Sequence, residues 1–251
     1  MKPYEIKLIK TCKSTNDYLI EDALQGAQEG KSIISLKQTK GRGTKNNSWI
    51  SDYGNIFLST LLRPKGSKKY WPQLSLLAGL SVFETLLEIG VNRKDIKIKW
   101  PNDILLNFKK VSGILVESID NFAVIGIGLN LKSSPKFVTG EFKATNLSNY
   151  HRLKVNRIQN ICDIMLCRIF VNYKKWNKKS LKTFLFDINL NLAFIGQNIL
   201  FTDRNEIISG KLLGVNDRGL LDIFANNKNY EISNSEGLFY LNSGEENVSG
   251  N

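Results

Sequence analysis

Four strand-like segments crowd into residues 96–131, and no other feature of the chain limits its fold as much. They read IKIKW, ILLNF, VSGILVES and FAVIGIGLNL. Each is built from aliphatic and β-branched residues, and Asp120-Asn121 between the last two reads as a hairpin turn, so a sheet is required. What surrounds this run alternates. YEIKLIK reads as a strand and STNDYLIEDALQG as a helix, with Ser14 as N-cap, Asp17 three residues on as its capping-box partner, and Gly26 and Gly30 near its end. KSIISLK and GNIFLSTLLR read as further strands, and WPQLSLLAGLSVFETLLEIG as an apolar helix stopped by Gly90. A long helix over residues 155–176 places Ile158, Ile161, Met165 and Ile169 along one face. After residue 193 the texture changes to short strands separated by Gly-Asp-Asn turns, as expected of a small barrel. The expected class is α+β, a mixed sheet flanked by helices.

Composition excludes several classes. With 251 residues, 42% of them hydrophobic, the chain can bury one large core or two unequal ones, so a main domain and a smaller one are expected. No segment has the unbroken apolar length needed to span a bilayer, and MKPYEIKLIK lacks the apolar centre of a secretory signal. The expectation is a cytoplasmic protein with no membrane partner. Cys12, Cys162, Cys167 and the single histidine, His151, supply neither a disulfide framework nor a zinc cluster, and His151 reads as a solvent-facing loop residue. A net charge of +12 suits an anionic partner, or equally a basic surface with no such role.

Two polar stretches stand out against this background. KQTKGRGTKNNSWIS, residues 37–51, places Arg42 between Gly41 and Gly43, with Lys40 and Lys45 close by. Glycines let backbone approach a ligand and arginine offers a planar donor fork, which suits phosphate or carboxylate; a surface loop with ordinary turn glycines is the other reading. Walker spacing is absent. GIGLN, residues 126–130, has neither the third glycine nor the following helix of a dinucleotide fingerprint. In KWPNDI, Pro101 ends the preceding ladder and gathers Lys99, Asn102 and Asp103 at the mouth of the sheet, where a plain turn beside a core tryptophan is the alternative. KKVSGILVE follows at once, and Gly113 within it allows close approach to its strand.

Taken in order, STND, QTKGRG followed by WIS, KWPND, KKVSGILVE and GIGLN resemble the biotin protein ligase family over most of residues 4–131. The resemblance implies a catalytic domain of the biotin and lipoate ligase type, similar to class II aminoacyl-tRNA synthetases, over residues 1–193. It also implies an SH3-like C-terminal barrel over 194–241, with a disordered tail at 242–251. The implied activity is a two-step adenylation. Biotin and ATP give biotinyl-AMP, and a lysine of the biotin carboxyl carrier protein of acetyl-CoA carboxylase then receives biotin. The related lipoate and octanoyl ligases share the fold without this combination of motifs.

Carried over residue by residue, Ser14, Thr15, Asn16 and Gln38 meet the biotin head group, Gly43 and Thr44 of the loop also bind biotin, and Gly113 and Leu115 line its tunnel with Gly126 and Gly128. Arg42 and Lys110 are the catalytic cations beside the carboxylate and α-phosphate. Lys99, Asn102, Asp103 and Asn130 face ATP, with Arg42 again and with Trp49 as an apolar wall. Mg²⁺ is expected to be held mainly by the ATP phosphates. The family loop commonly reads Gly-Arg-Gly-Arg-x-Gly, whereas here Thr44 replaces the second arginine and Asn46 the last glycine, leaving Lys45 as a substitute cation. Too little chain precedes Ser14 for a winged-helix domain, so no DNA partner is expected. A homodimer is compatible with the family.

Overall fold

The computed structural model describes residues 2–135, 142–150, 153, 157–204 and 206–240. His151 and the expected tail at 242–251 lie outside these. Strand β1 (Glu5–Ile9) leads through helix α1 (Thr15–Leu24) to strand β2 (Lys31–Ser35), which pairs with β1 in parallel. The chain continues through β3 (Ile56–Leu62), helix α2 (Gln73–Glu88), β4 (Ile96–Lys99), β5 (Asp103–Leu106), β6 (Lys109–Ile119) and β7 (Phe122–Leu129). These strands form one seven-stranded sheet in the order β1-β2-β3-β7-β6-β5-β4, antiparallel beyond the first pair. The crowded run of residues 96–131 is therefore half of this sheet. Its last two strands meet at Asp120-Asn121, where Asp120 takes the left-handed φ of 44° that a tight hairpin needs.

Strand parity divides the sheet into two unlike faces. Ile56, Leu58, Ile125, Ile127 and Leu129 point to one side and join the main core with α2. Helix α2 is apolar nearly all round, so it is buried on both flanks, by the sheet on one side and by helix α3 (Ile158–Lys179) on the other. Burying each of its leucines contributes roughly 1.5–3 kcal/mol. Phe57, Ser59, Leu61, Val124, Gly126 and Gly128 point the other way. There α1 covers the Leu61–Val124 end through Leu19 and Ala23 in a small separate core, and its first turn reaches Gly126 through Asn16. The cleft described below opens beyond this turn, over Gly113 and Gly128.

Two local expectations need correction. Ser14 occupies the N-cap position of α1, but its side chain makes no capping hydrogen bond and Asp17 closes no capping box. The orphan N–H of Thr15 is satisfied instead by Gln38 Oε1 at 2.8 Å, a cap supplied from a distant loop. The second correction concerns the tail. After helix α4 (Leu185–Leu190), strands β8 (Asn198–Asp203), β9 (Glu206–Val215), β10 (Leu221–Ala225), β11 (Lys228–Ile232) and β12 (Leu238–Tyr240) form a five-stranded antiparallel sheet in the order β11-β10-β9-β8-β12. It is not closed into a barrel. Closure needs a ladder between the outer strands, whereas β11 pairs only with β10, and β12, three residues long, pairs only with β8. The apolar face of this sheet is covered by the main body: Ile199, Phe201, Leu212, Leu221 and Tyr240 belong to the same core as α2 and β4. Trp100 Nε1 donates to the Gly219 carbonyl at 3.0 Å across this junction. Edge strand β4 is also covered, because residues Asn191–Ala193 pair with Ile98 on the way into the tail.

Candidate active site

The sheet beyond the first turn of α1 forms the floor of a cleft with about 470 Å³ of empty space, open mouth included. Gly113 pairs with Gly128 and Leu115 with Gly126, so four cleft residues lie side by side on one face of β6 and β7. A Cβ at Gly126 would come within 2.2 Å of Asn16 Oδ1, and one at Gly128 within 2.3 Å of the Trp49 ring. Glycine is required at both because other chain elements press directly on the strands.

The inner wall is the start of α1. Ser14, Thr15 and Asn16 are buried, and the polar groups of Thr15 and Asn16 form one network. Thr15 Oγ1 donates to Gln38 Oε1 at 3.0 Å, and Gln38 Nε2 donates to Ser51 Oγ at 2.9 Å. Ser59 Oγ lies 2.7 Å from Thr15 Oγ1 and 2.6 Å from Asn16 Oδ1, so its single proton serves one acceptor at a time. Asn16 Nδ2 donates to Glu117 Oε2 at 2.7 Å. This end of the cleft is rich in donors and acceptors yet nearly closed to water, which suits a small polar head group.

The outer wall is the polar loop, and it is folded. Trp49 N–H donates to the Gly41 carbonyl at 2.9 Å, Gly43 N–H to Asn47 at 2.7 Å, and a short 3-10 turn spans Thr44–Asn46, with Lys45 at a left-handed φ of 55°. Gly41 is held in the hairpin stem, where a Cβ would sit 2.5 Å from both Ser51 Oγ and the Trp49 carbonyl. The Trp49 ring lies on the glycine floor, and its buried indole N–H has no acceptor among the described residues. Arg42 turns toward two carboxylates. Nη1 and Nη2 donate to Glu117 at 2.8 Å each, and Nη2 also donates to Asp17 at 2.5 Å. The bond to Glu117 is the largest cause of a guanidinium pKa above its ordinary value, so the group stays charged throughout the working range. Lys45 points elsewhere, with Nζ 3.8 Å from Glu236 of the tail, and does not line the cleft.

Lys110 stands where this cleft meets a second one of about 860 Å³ of empty space, open mouth included. Gly43, Thr44, Trp49 and Lys110 line both, while Asn130 lines only the second. The backbone of Lys110 is fixed from outside the hairpin, its N–H donating to the Lys143 carbonyl and its carbonyl accepting from Thr145. Its Nζ lies 2.7 Å from Asp103 Oδ1, an ion pair by distance that lacks hydrogen-bond alignment at that oxygen, and 5.5 Å from the Trp49 ring. The three polar residues of the KWPND turn separate. Asn102 lines the first cleft, Asp103 pairs with Lys110, and Lys99 Nζ lies 5.0 Å from the Phe142 ring and 4.9 Å from that of Tyr240. Neither Lys99 nor Asp103 lines either cleft. Among the described residues no three His, Cys, Asp or Glu side chains gather as a metal cage.

Sequence reasoning missed Ser59, Glu117 and the role of Asp17. Parity carries a signal for Glu117, since residues 113, 115 and 117 share one face of β6. Ser59 was detectable as a hydroxyl on the glycine side of the otherwise apolar IFLSTLL.

Known proteins match this arrangement. Residues 8–131 match the biotin/lipoate A/B protein ligase family. The chain is 35% identical over 218 residues to the bifunctional ligase/repressor BirA of Bacillus subtilis, a match covering 83% of this chain and 66% of that protein's length. It is 35% identical over 138 residues to the biotin–[acetyl-CoA-carboxylase] ligase of Mycobacterium tuberculosis, covering 53% and 52% of the two chains. In three dimensions it is similar to the biotin protein ligase from Aquifex aeolicus in complex with biotin and ATP. The TM-score is 0.79 and the identity 30%, with 93% of this chain and 97% of that one covered.

Proposed function

We propose, because this chain belongs to the biotin/lipoate A/B protein ligase family, that its paired clefts join biotin to ATP and pass the biotinyl group to a protein lysine. The observation that carries this reading is the position of Lys110, with Gly43, Thr44 and Trp49, on the boundary between the glycine-floored cleft and the larger one beside Asn130. Biotin fits the first. Its ureido group donates and accepts, matching Ser14, Thr15, Asn16 and Gln38, and its tetrahydrothiophene ring and chain match the glycine floor beside Leu115. The nucleotide takes the second cleft, beside Asn130 and under the loop. Carboxylate and α-phosphate then meet at Lys110.

In the first step a biotin carboxylate oxygen attacks the α-phosphorus of ATP; a C–O–P bond forms and the bond to pyrophosphate breaks. No enzyme nucleophile is needed. The barrier is the approach of two anions and the charge spread over the phosphoryl oxygens, and preorganised cations lower it. Lys110 and Arg42 are the cations at the junction. In the second step the acceptor amine attacks the biotinyl carbonyl, AMP departs with the C–O electron pair, and the amine proton passes to solvent. Mg²⁺ would enter with the ATP phosphates, adding positive charge that screens the approaching carboxylate. Asp103 keeps Lys110 in place, while Lys99, which lines neither cleft, packs its ammonium against Phe142 and Tyr240.

The acceptor we assign is a biotin carboxyl carrier protein of the kind found in acetyl-CoA carboxylase. Residues up to 193 form the ligase body, and those from 194 form a tail unit docked on it. No helix among the described residues is long and apolar enough to cross a membrane. Thermal unfolding tests the ligand assignment directly. Biotin should raise Tm and lipoate should not, since ligand at 100 times Kd adds about 2.7 kcal/mol to stability. Equal stabilisation by the two acids would reject biotin specificity.

A further inference from the structure

We propose that Asp17 and Glu117 form a carboxylate rest for Arg42 in the ligand-free molecule and thereby set how strongly the cleft prefers an anionic ligand to a neutral one. The inference rests on the reading above that the ligand is biotin. Both terminal nitrogens of Arg42, the fork that would grip a carboxylate or phosphate end-on, are turned to protein oxygens: Glu117 at 2.8 Å twice and Asp17 at 2.5 Å. Two negative charges face one positive, so the trio as it stands repels an anion. A bidentate arginine cannot hold Glu117 and a ligand carboxylate with the same fork, so a ligand that takes this fork of Arg42 displaces Glu117 from it.

Exposure favours an exchangeable rest over a fixed strut. The side chains of Arg42, Asp17 and Glu117 are 39%, 40% and 22% exposed, so water can take over the released charges. The positions follow from the fold. Glu117 lies on the cleft side of β6, in line with Gly113 and Leu115, and Asp17 lies in the first turn of α1. The two are not equivalent. Glu117 Oε2 also accepts from Asn16 Nδ2 at 2.7 Å and so supports the polar wall, whereas the ion pair of Asp17 is with Arg42. Asp17→Asn therefore isolates the hold on Arg42, and Glu117→Gln combines that hold with support of Asn16.

The test is calorimetric titration of wild type, Asp17→Asn and Glu117→Gln with biotin and with biotinol, in which an alcohol replaces the carboxylate. Asp17→Asn should raise the ratio of biotin to biotinol affinity about two- to fivefold, the range of a partly exposed ion pair. Glu117→Gln should raise the same ratio while weakening both ligands through Asn16. Adding Arg42→Gln to either variant should abolish the change in ratio; simple relief of repulsion between carboxylate and ligand would survive it. An unchanged or lower ratio in Asp17→Asn, or a gain that persists without Arg42, overturns the proposal. Failure of wild type to bind either compound overturns the ligand reading itself, and the inference with it.

Discussion

On the proposed reading Lys110 carries the heaviest demand on any single side chain, because the carboxylate of biotin and the α-phosphate of ATP are anions that must touch. Lys110→Ala should slow adenylate formation by about two orders of magnitude or more, the scale of losing one preorganised charge contact. The same change strips Asp103 of its ion partner, so Lys110→Arg serves as the companion: it keeps the pair and should restore stability without restoring the rate. Single-turnover adenylation beside thermal melts separates the two effects; near-normal rates in the alanine variant would remove Lys110 from the chemistry. Gly126 is the sharpest steric constraint. A methyl group there meets Asn16 Oδ1, so Gly126→Ala should cost about 1–3 kcal/mol in stability and turn the amide out of the polar wall. Biotin affinity should fall at least about tenfold, one hydrogen-bonded contact's worth, and unchanged affinity by titration would show that Asn16 does not meet the ligand. These residues were legible in the sequence because each sits in a short motif whose glycine, proline or charge is locally out of place. Glu117 and Ser59 were not, since their meaning comes from what faces them across the sheet.

At the scale of elements, most strands and helices were readable from periodicity, including the hairpin at Asp120-Asn121 and the apolar α2. The failures came where distant chain overrode a local rule. Ser14 and Asp17 have capping-box spacing, but Gln38 reaches the helix start and Arg42 claims Asp17. The tail strands had the texture of a barrel, yet their sheet stays open because the ligase body covers its apolar face and leaves the outer strands nothing to gain from pairing. The KWPND turn joins these units. Trp100→Phe removes the indole N–H that donates to the Gly219 carbonyl and leaves a small cavity in the core. The expected cost is about 1–3 kcal/mol, read as a lower urea midpoint. If the tail steers the acceptor, transfer should fall more than adenylation; equal loss in both steps would show that the junction is purely structural.

For the whole molecule, topology explains why the site is where it is. One face of the sheet is consumed by α2, and on the other the first turn of α1 reaches Gly126 while Gly113 and Gly128 lie beyond it. The loop of residues 37–51 then closes in from one side and β6 presents Lys110 at the junction of the two clefts, where on the proposed reading the two anionic substrates meet. The most direct test is a single-turnover incubation of the full chain with biotin, ATP labelled in the α-phosphate and Mg²⁺, quenched and resolved for nucleotide products. The account predicts one biotinyl-AMP per active molecule, discharged to AMP when a biotin carboxyl carrier protein is added, with biotin on a carrier lysine. Absence of the adenylate from folded, biotin-binding protein, or label that appears only when lipoate replaces biotin, would contradict it.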